Sequence, residues 1–171
     1  MKEMHRITVR KAEIKDIKCI MPLLNEVALL HGEKRNDIFK ACPKHRTKKD
    51  LKRHIYSKKH FVLVAVIDNC IGGVMMCTLR TIEDDIKFKN CKILSLEDTC
   101  ISEKYRRYGC ASALVKEAHL IANAHNCARI EANVWSFNIP AIKQLETNGF
   151  TLQRMVLEYT LGRNGTNIKV L

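Results

Sequence analysis

The chain has 171 residues, 46% of them hydrophobic, and a net charge of +12. That length suits one domain with a buried core, and no apolar run approaches the roughly 20 residues that span a bilayer. The opening Met1-Lys2-Glu3-Met4-His5-Arg6 lacks the apolar stretch of a secretion signal, so the sequence reads as soluble and cytoplasmic, with no membrane partner.

In chain order, Ile7 to Arg10 alternates as a first strand. Lys15 to His31 carries apolar residues at helical spacing, with Pro22 inside it. Asn36 to Pro43 reads as a loop, and Lys48 to Ser57 as a short basic helix. Between Lys34 and Lys59 eleven Lys/Arg stand against Asp37 and Asp50, so this segment holds nine of the twelve net positive charges. It is either a solvated helix face or a basic lip that favours an anionic partner. With aromatics at 6% and no helix-turn-helix pattern, nucleic acid is disfavoured as that partner.

Phe61 to Ile67 is a buried-type strand, and Asp68-Asn69 turns the chain into Val74 to Leu79. Polar residues 81–90 connect to a strand over Lys92 to Ile101. A helix from Ala111 follows, then strands over Ala128 to Trp135 and Thr151 to Leu161 with a short helical stretch between them. Eight cysteines, at 19, 42, 70, 77, 91, 100, 110 and 127, include no C-x-x-C pair, and the histidines show no ligand spacing. The cysteines read as small hydrophobes in a reducing compartment, and no metal site is expected.

One short segment carries chemistry. Arg106-Arg107-Tyr108-Gly109-Cys110-Ala111 joins the strand ending at Ile101 to the next helix. The first N–H groups of a helix have no partner within it, and a glycine lets an anion approach them. Taken alone, the hexapeptide is equally an ordinary strand-to-helix connection.

Three motifs taken together resemble the GCN5-related N-acetyltransferase (GNAT) superfamily. They are Arg106, Gly109 and Ala111; Val134, Asn138 and Ala141; and Gly149-Phe150. The resemblance implies an α/β single-domain fold. Its mixed sheet would have about six to seven strands, helices on both faces, and a splay between two central parallel strands. It divides residues 1–171 into acceptor-side helices (1–60), a cofactor-binding core (61–161) and a tail (162–171). The implied activity is transfer of an acetyl group from acetyl-CoA to a primary amine of a small molecule or protein, by direct attack in a ternary complex. The alternative is a catalytically silent domain that binds CoA. The fold also admits a homodimer.

The resemblance assigns the pyrophosphate to Arg106, Arg107, Tyr108, Gly109, Cys110, Ala111 and Ser112. It assigns the pantetheine arm to Thr99, Cys100, Ile101 and Asn138. Alternation along the strand sets Ser95, Glu97 and Thr99 on one face, where Glu97 is the candidate base. An ordinary carboxylate is a weak base toward an ammonium, so Glu97 would act through water or in a buried setting. Asp98 replaces it if a bulge shifts the register. Where many members carry a tyrosine as general acid, this chain has Leu145. CoA then leaves as a thiolate, or Tyr56 or Tyr159 supplies the proton. Asn133, where ribosomal-protein-type enzymes often carry glutamate, disfavours that subfamily. Trp135 reads as a packing residue.

Overall fold

The computed structural model describes residues 6–40 and 46–161. Apolar, β-branched runs bracketed by turns make the central strands. β2 (His60–Ile67) and β3 (Cys70–Ile82) are joined by Asp68-Asn69, both left-handed at φ 49° and 61°. That two-residue turn matches the twist of the flanking strands. With β1 (Ile7–Lys11), β4 (Cys91–Ile101) and β5 (Arg129–Ala132), they form one sheet in the order β1-β2-β3-β4-β5. All neighbours are antiparallel except β4 and β5, which are parallel. A parallel pair needs a crossover, and α3 (Cys110–Ala124) provides it.

Side-chain alternation splits the core into two layers. Leu63, Ala65 and Ile67 of β2, with Leu94 and Leu96 of β4, pack against Leu114, Val115 and Ala118 of α3. Val62 and Val64 point the other way, toward Ile20 and Leu24 of α1 (Ile17–Lys34) and Leu51 of α2 (Lys48–Tyr56). Helices therefore cover both faces, as expected. α1 runs unbroken through Pro22. α4 (Ile139–Thr147) follows β5 and packs Leu145 against the α3 layer.

The sheet is narrower than the expected six to seven strands. Residues 151–161 form no helix, strand or turn and are exposed throughout. Their strand-like pattern needs a neighbour to supply the other half of a ladder, and β5 is only four residues long. Among the described residues, side-chain contacts tie the segment to the domain. Gln153 Nε2 donates to Glu131 Oε1 at 3.3 Å, and Arg35 meets Glu158 at 2.8 Å. The tail over 162–171 lies outside the described residues, as does Cys42. The seven other cysteines are free. No described helix is long and apolar enough to cross a membrane.

Asp16 anchors the entry to α1. Its buried carboxylate accepts from Arg10 at 2.6 and 3.0 Å and from the Glu13 N–H at 2.8 Å. The Arg10 hydrogen bonds hold this carboxyl below the usual carboxylate range, against the opposing effect of burial. Asp16→Asn is expected to destabilise the fold by about 1–3 kcal/mol at pH 7, since Arg10 loses its charged partner. A carboxyl with a depressed value stabilises the fold above the unfolded-state value, and that contribution disappears as pH falls through the folded one. The gap between wild type and variant therefore closes on acidification, which urea unfolding at pH 7 and at acid pH measures.

Candidate active site

β4 and β5 run side by side from Ile93 opposite Arg129 to Leu96 opposite Ala132. There β5 ends, while β4 continues to Ile101. On its other edge β4 stays paired, with Thr99, Cys100 and Ile101 opposite Met75, Val74 and Gly73. The edge of residues 97–101 that faces β5 is therefore open among the described residues. This is the splay that the sequence led us to expect, and it offers backbone donors and acceptors to an extended ligand.

Within that stretch the register shifts. Leu96 sits opposite Cys77 and Thr99 opposite Met75, so Glu97 and Asp98 together face Met76. Two residues against one is a β-bulge. The strict alternation of Ser95, Glu97 and Thr99 is thereby corrected: Cys100, not Thr99, joins the α1–α2 layer beyond the bulge. Cys100 is buried, with its sulfur 3.8 Å from Glu26 Oε2. Burial, then the Glu26 charge, push the thiol up to about 12. Cys77 is likewise raised to about 12 by burial and Glu97.

The bulge does not make Asp98 the exposed partner in place of Glu97, since the Asp98 side chain is 13% exposed against 29% for Glu97. Glu97 instead enters a hydrogen-bonded chain. Thr78 Oγ1 donates to Glu97 Oε1 at 2.5 Å, and His60 Nδ1 lies 2.8 Å from the same hydroxyl. Strand pairing makes this possible, because His60 and Thr78 are register partners across β2 and β3. Arg46 Nη2 donates to Glu97 Oε2 at 3.2 Å and to Asp98 Oδ2 at 2.9 Å. Burial, then the neighbouring His54, lower His60 below the ordinary imidazole value, so the ring is neutral at physiological pH. Thr78, His60 and Arg46 were not singled out from the sequence. His60 and Thr78 are brought together by cross-strand register and Arg46 reaches the carboxylates from the bend before α2, neither of which a local pattern carries.

After Ile101, a single turn of 3₁₀ helix (Glu103–Tyr105) leads to the basic turn. Arg106 Nε reaches back to the Ile101 carbonyl at 3.3 Å. Arg107 (φ 68°) and Gly109 (φ 96°) are both left-handed. Alternation of this kind turns successive N–H groups into one concavity. The first helical bond of α3 runs from Ala113 N–H to Gly109 O at 3.0 Å. The amides of Cys110, Ala111 and Ser112 precede it and have no acceptor within the helix. Arg106 to Gly109 are exposed, and Cys110 is buried, its thiol pushed up by burial. Ser112 Oγ accepts from Asn148 Nδ2 at 3.2 Å, which leaves its proton available to an anion.

Other residues find local roles. Asn138 caps α4, its Oδ1 accepting from Ala141 N–H at 3.3 Å, which accounts structurally for the N-x-x-A spacing. Leu145 packs on the core, and Tyr56 and Tyr159 are exposed. Trp135 packs in an aromatic cluster with His31, Phe39 and Phe137, and Arg35 lies 5.3 Å over its ring. Three arginines of the basic segment form ion pairs: Arg35 with Asp37 and Glu158, Arg46 with Glu97 and Asp98, and Arg53 with Asp50. Lys48, Lys49 and Lys52 line a groove with Lys15, Lys18, Ile14 and Ile17. No group of three His, Cys, Asp or Glu among the described residues could hold a metal.

Residues 27–150 match the Acetyltransferase (GNAT) family. Curated proteins provide no match. Among solved structures, a mutant of the BH1408 protein from Bacillus halodurans superposes with a TM-score of 0.86 at 23% identity, covering 90% of this chain and 99% of that one. The aminoglycoside N-acetyltransferase AAC(6')-Iy in complex with CoA gives 0.71 at 14% identity, over 94% and 97%. AAC(6')-IG from Acinetobacter haemolyticus gives 0.66 at 16% identity, over 92% and 99%. At these identities the likeness concerns the fold.

Proposed function

Since the chain belongs to the Acetyltransferase (GNAT) family, we propose that it transfers an acetyl group from acetyl-CoA to a primary amine by direct attack in a ternary complex. The observation that carries this reading is one continuous track. The concave turn from Arg107 to Ser112, the open edge of residues 97–101 and the bulged Glu97 follow one another along the chain. The amides of Cys110, Ala111 and Ser112 would hold the diphosphate, helped by the positive end of α3. Thr99 to Ile101 would pair with the pantetheine amides, and an N–H on that edge would donate to the thioester oxygen.

Glu97 would take the proton from the incoming ammonium, its carboxylate held by the Thr78 hydroxyl, which in turn accepts from His60 Nδ1. The amine nitrogen then bonds to the carbonyl carbon as the carbon–sulfur bond breaks. One proton ends on the departing thiolate, the other in solvent. A thiolate is a tolerable leaving group, so Leu145 does not block the reaction. The high values of Cys77 and Cys100 leave neither as a thiolate nucleophile at neutral pH, which favours direct attack over an acetyl-cysteine route.

The excess charge over residues 34–59, from which Arg46 reaches Glu97, supports an acceptor of anionic character over a polycation. A silent CoA-binding domain is the second reading, favoured by Leu145 and by Arg46 resting on Glu97. Thiol release with acetyl-CoA and a panel of amines separates the two. Amine-dependent release is the expected result; binding of acetyl-CoA without release for any amine supports the silent domain.

A further inference from the structure

Five exposed lysines converge on one groove of about 480 Å³ between the start of α1 and α2. Lys15 and Lys18 come from the α1 side, outside the basic segment, and Lys48, Lys49 and Lys52 from α2. The three on α2 share a face, because residues four apart stack on a helix, while Leu51 turns inward to the core. Ile14, 38% exposed, and Ile17 add apolar surface between the charges.

These charges are not balanced within the chain. Among the described residues only Lys15 of the five meets a carboxylate, that of Glu13 at 2.8 Å. Asp16 is held by Arg10, and Asp50 by Thr47 and Arg53. Position adds to the cost. Lys48 and Lys49 open α2, and Lys18 lies in the first turn of α1, where the positive helix end repels a cation. Lysine at all three places opposes folding, and local conflicts of this kind are expected where a surface serves binding.

We infer that this groove docks an acidic, amphipathic segment of a partner protein. Its carboxylates lie among the lysines and its apolar side chains on Ile14 and Ile17. Charge complementarity selects an anionic occupant, and the apolar floor selects a peptide over a bare phosphate. Lysine is a point charge without the planar fork that grips phosphate in two places, and no aromatic ring lines the groove for a base to stack on. The surface is concave, which suits a peptide segment rather than a flat bilayer. None of the lining residues belongs to the Glu97 hydrogen-bonded chain or to the Arg107–Ser112 turn, so docking needs neither acetyl-CoA nor turnover.

Fluorescence anisotropy on the full chain, with a labelled peptide of Glu-Glu-Leu repeated three times, tests the inference. Saturable binding at one peptide per chain is expected, weakening as salt rises. Lys48→Glu with Lys49→Glu is expected to weaken binding by about tenfold or more, since two exposed attractions become repulsions. The same variant is expected to melt about 2–4 °C higher, because a carboxylate suits the first turn of a helix and gains Lys52 or Arg53 four residues on. Lys52→Ala, on the same exposed face, should weaken binding severalfold by itself. Lys87→Glu with Lys89→Glu removes equal charge from the exposed β3–β4 connection and should leave the affinity unchanged. Hexaglutamate, with the same six carboxylates and no leucine, should bind severalfold more weakly. Absence of saturable binding overturns the inference, as do equal losses in the two double variants or hexaglutamate binding as tightly as the peptide. Tighter binding of polyuridylate or of phosphatidylserine vesicles, lost in Lys48→Glu with Lys49→Glu, assigns the groove to those anions and overturns it as well.

Discussion

Gly109→Glu is expected to abolish the stabilisation of the protein by acetyl-CoA while leaving its far-UV circular dichroism intact. Gly109 sits at φ 96°, a conformation that strains any side chain by about 1–3 kcal/mol. Space is not the difficulty, because an added Cβ would meet only the Ile7 side chain at 3.7 Å. The new carboxylate would stand at the mouth of the amides that precede Ala113 and compete with a phosphate for them. A charge-assisted hydrogen bond contributes about 1.5–3 kcal/mol, so losing two weakens binding by roughly a hundredfold or more. Gly109→Ala carries the strain without the charge and should retain part of the affinity. A Gly109→Glu protein whose melting temperature still rises with acetyl-CoA as in the wild type would remove the turn from the site.

Glu97→Gln is expected to lower kcat by about 10²–10⁴-fold with little change in KM for acetyl-CoA. The amide can still accept from Thr78, so the bulge persists, but the proton acceptor is gone. Thr78→Val tests the rest of the chain of hydrogen bonds, because it cuts the contact between Glu97 and His60. The wild-type rate should fall as His60 takes up a proton, because an imidazolium behind Thr78 pulls on the Glu97 carboxylate that must accept the amine's proton. That point lies below the ordinary imidazole value, since burial and His54 both disfavour the charged ring. In Thr78→Val that acid limb should shift or vanish. A Glu97→Gln enzyme with unchanged kcat at every pH would show that the bulge carries no base.

The elements that could be read from sequence are those set by local pattern. The run Phe61 to Ile67 followed by Asp68-Asn69 encodes a hairpin in adjacent residues, and the structure has it. The basic turn and α3 were legible for the same reason, since capping and glycine are short-range signals. The bulge was not, because the pairing of Met76 with both Glu97 and Asp98 depends on β3. Simple alternation therefore assigned Thr99 to the wrong side. His60, Thr78 and Arg46 lie far from Glu97 in the chain and meet it only through register and the approach to α2. Residues 151–161 fail in the opposite direction. Their strand pattern is clear, yet among the described residues they pair with no strand.

Calorimetric titration of acetyl-CoA against S-acetylpantetheine, which lacks the diphosphate, tests the central claim most directly. If the amides of residues 110–112 hold the diphosphate, acetyl-CoA binds saturably at one site per chain. S-acetylpantetheine should then bind at least about a hundredfold more weakly. Equal affinity for the two compounds, or no heat with acetyl-CoA, would contradict the account.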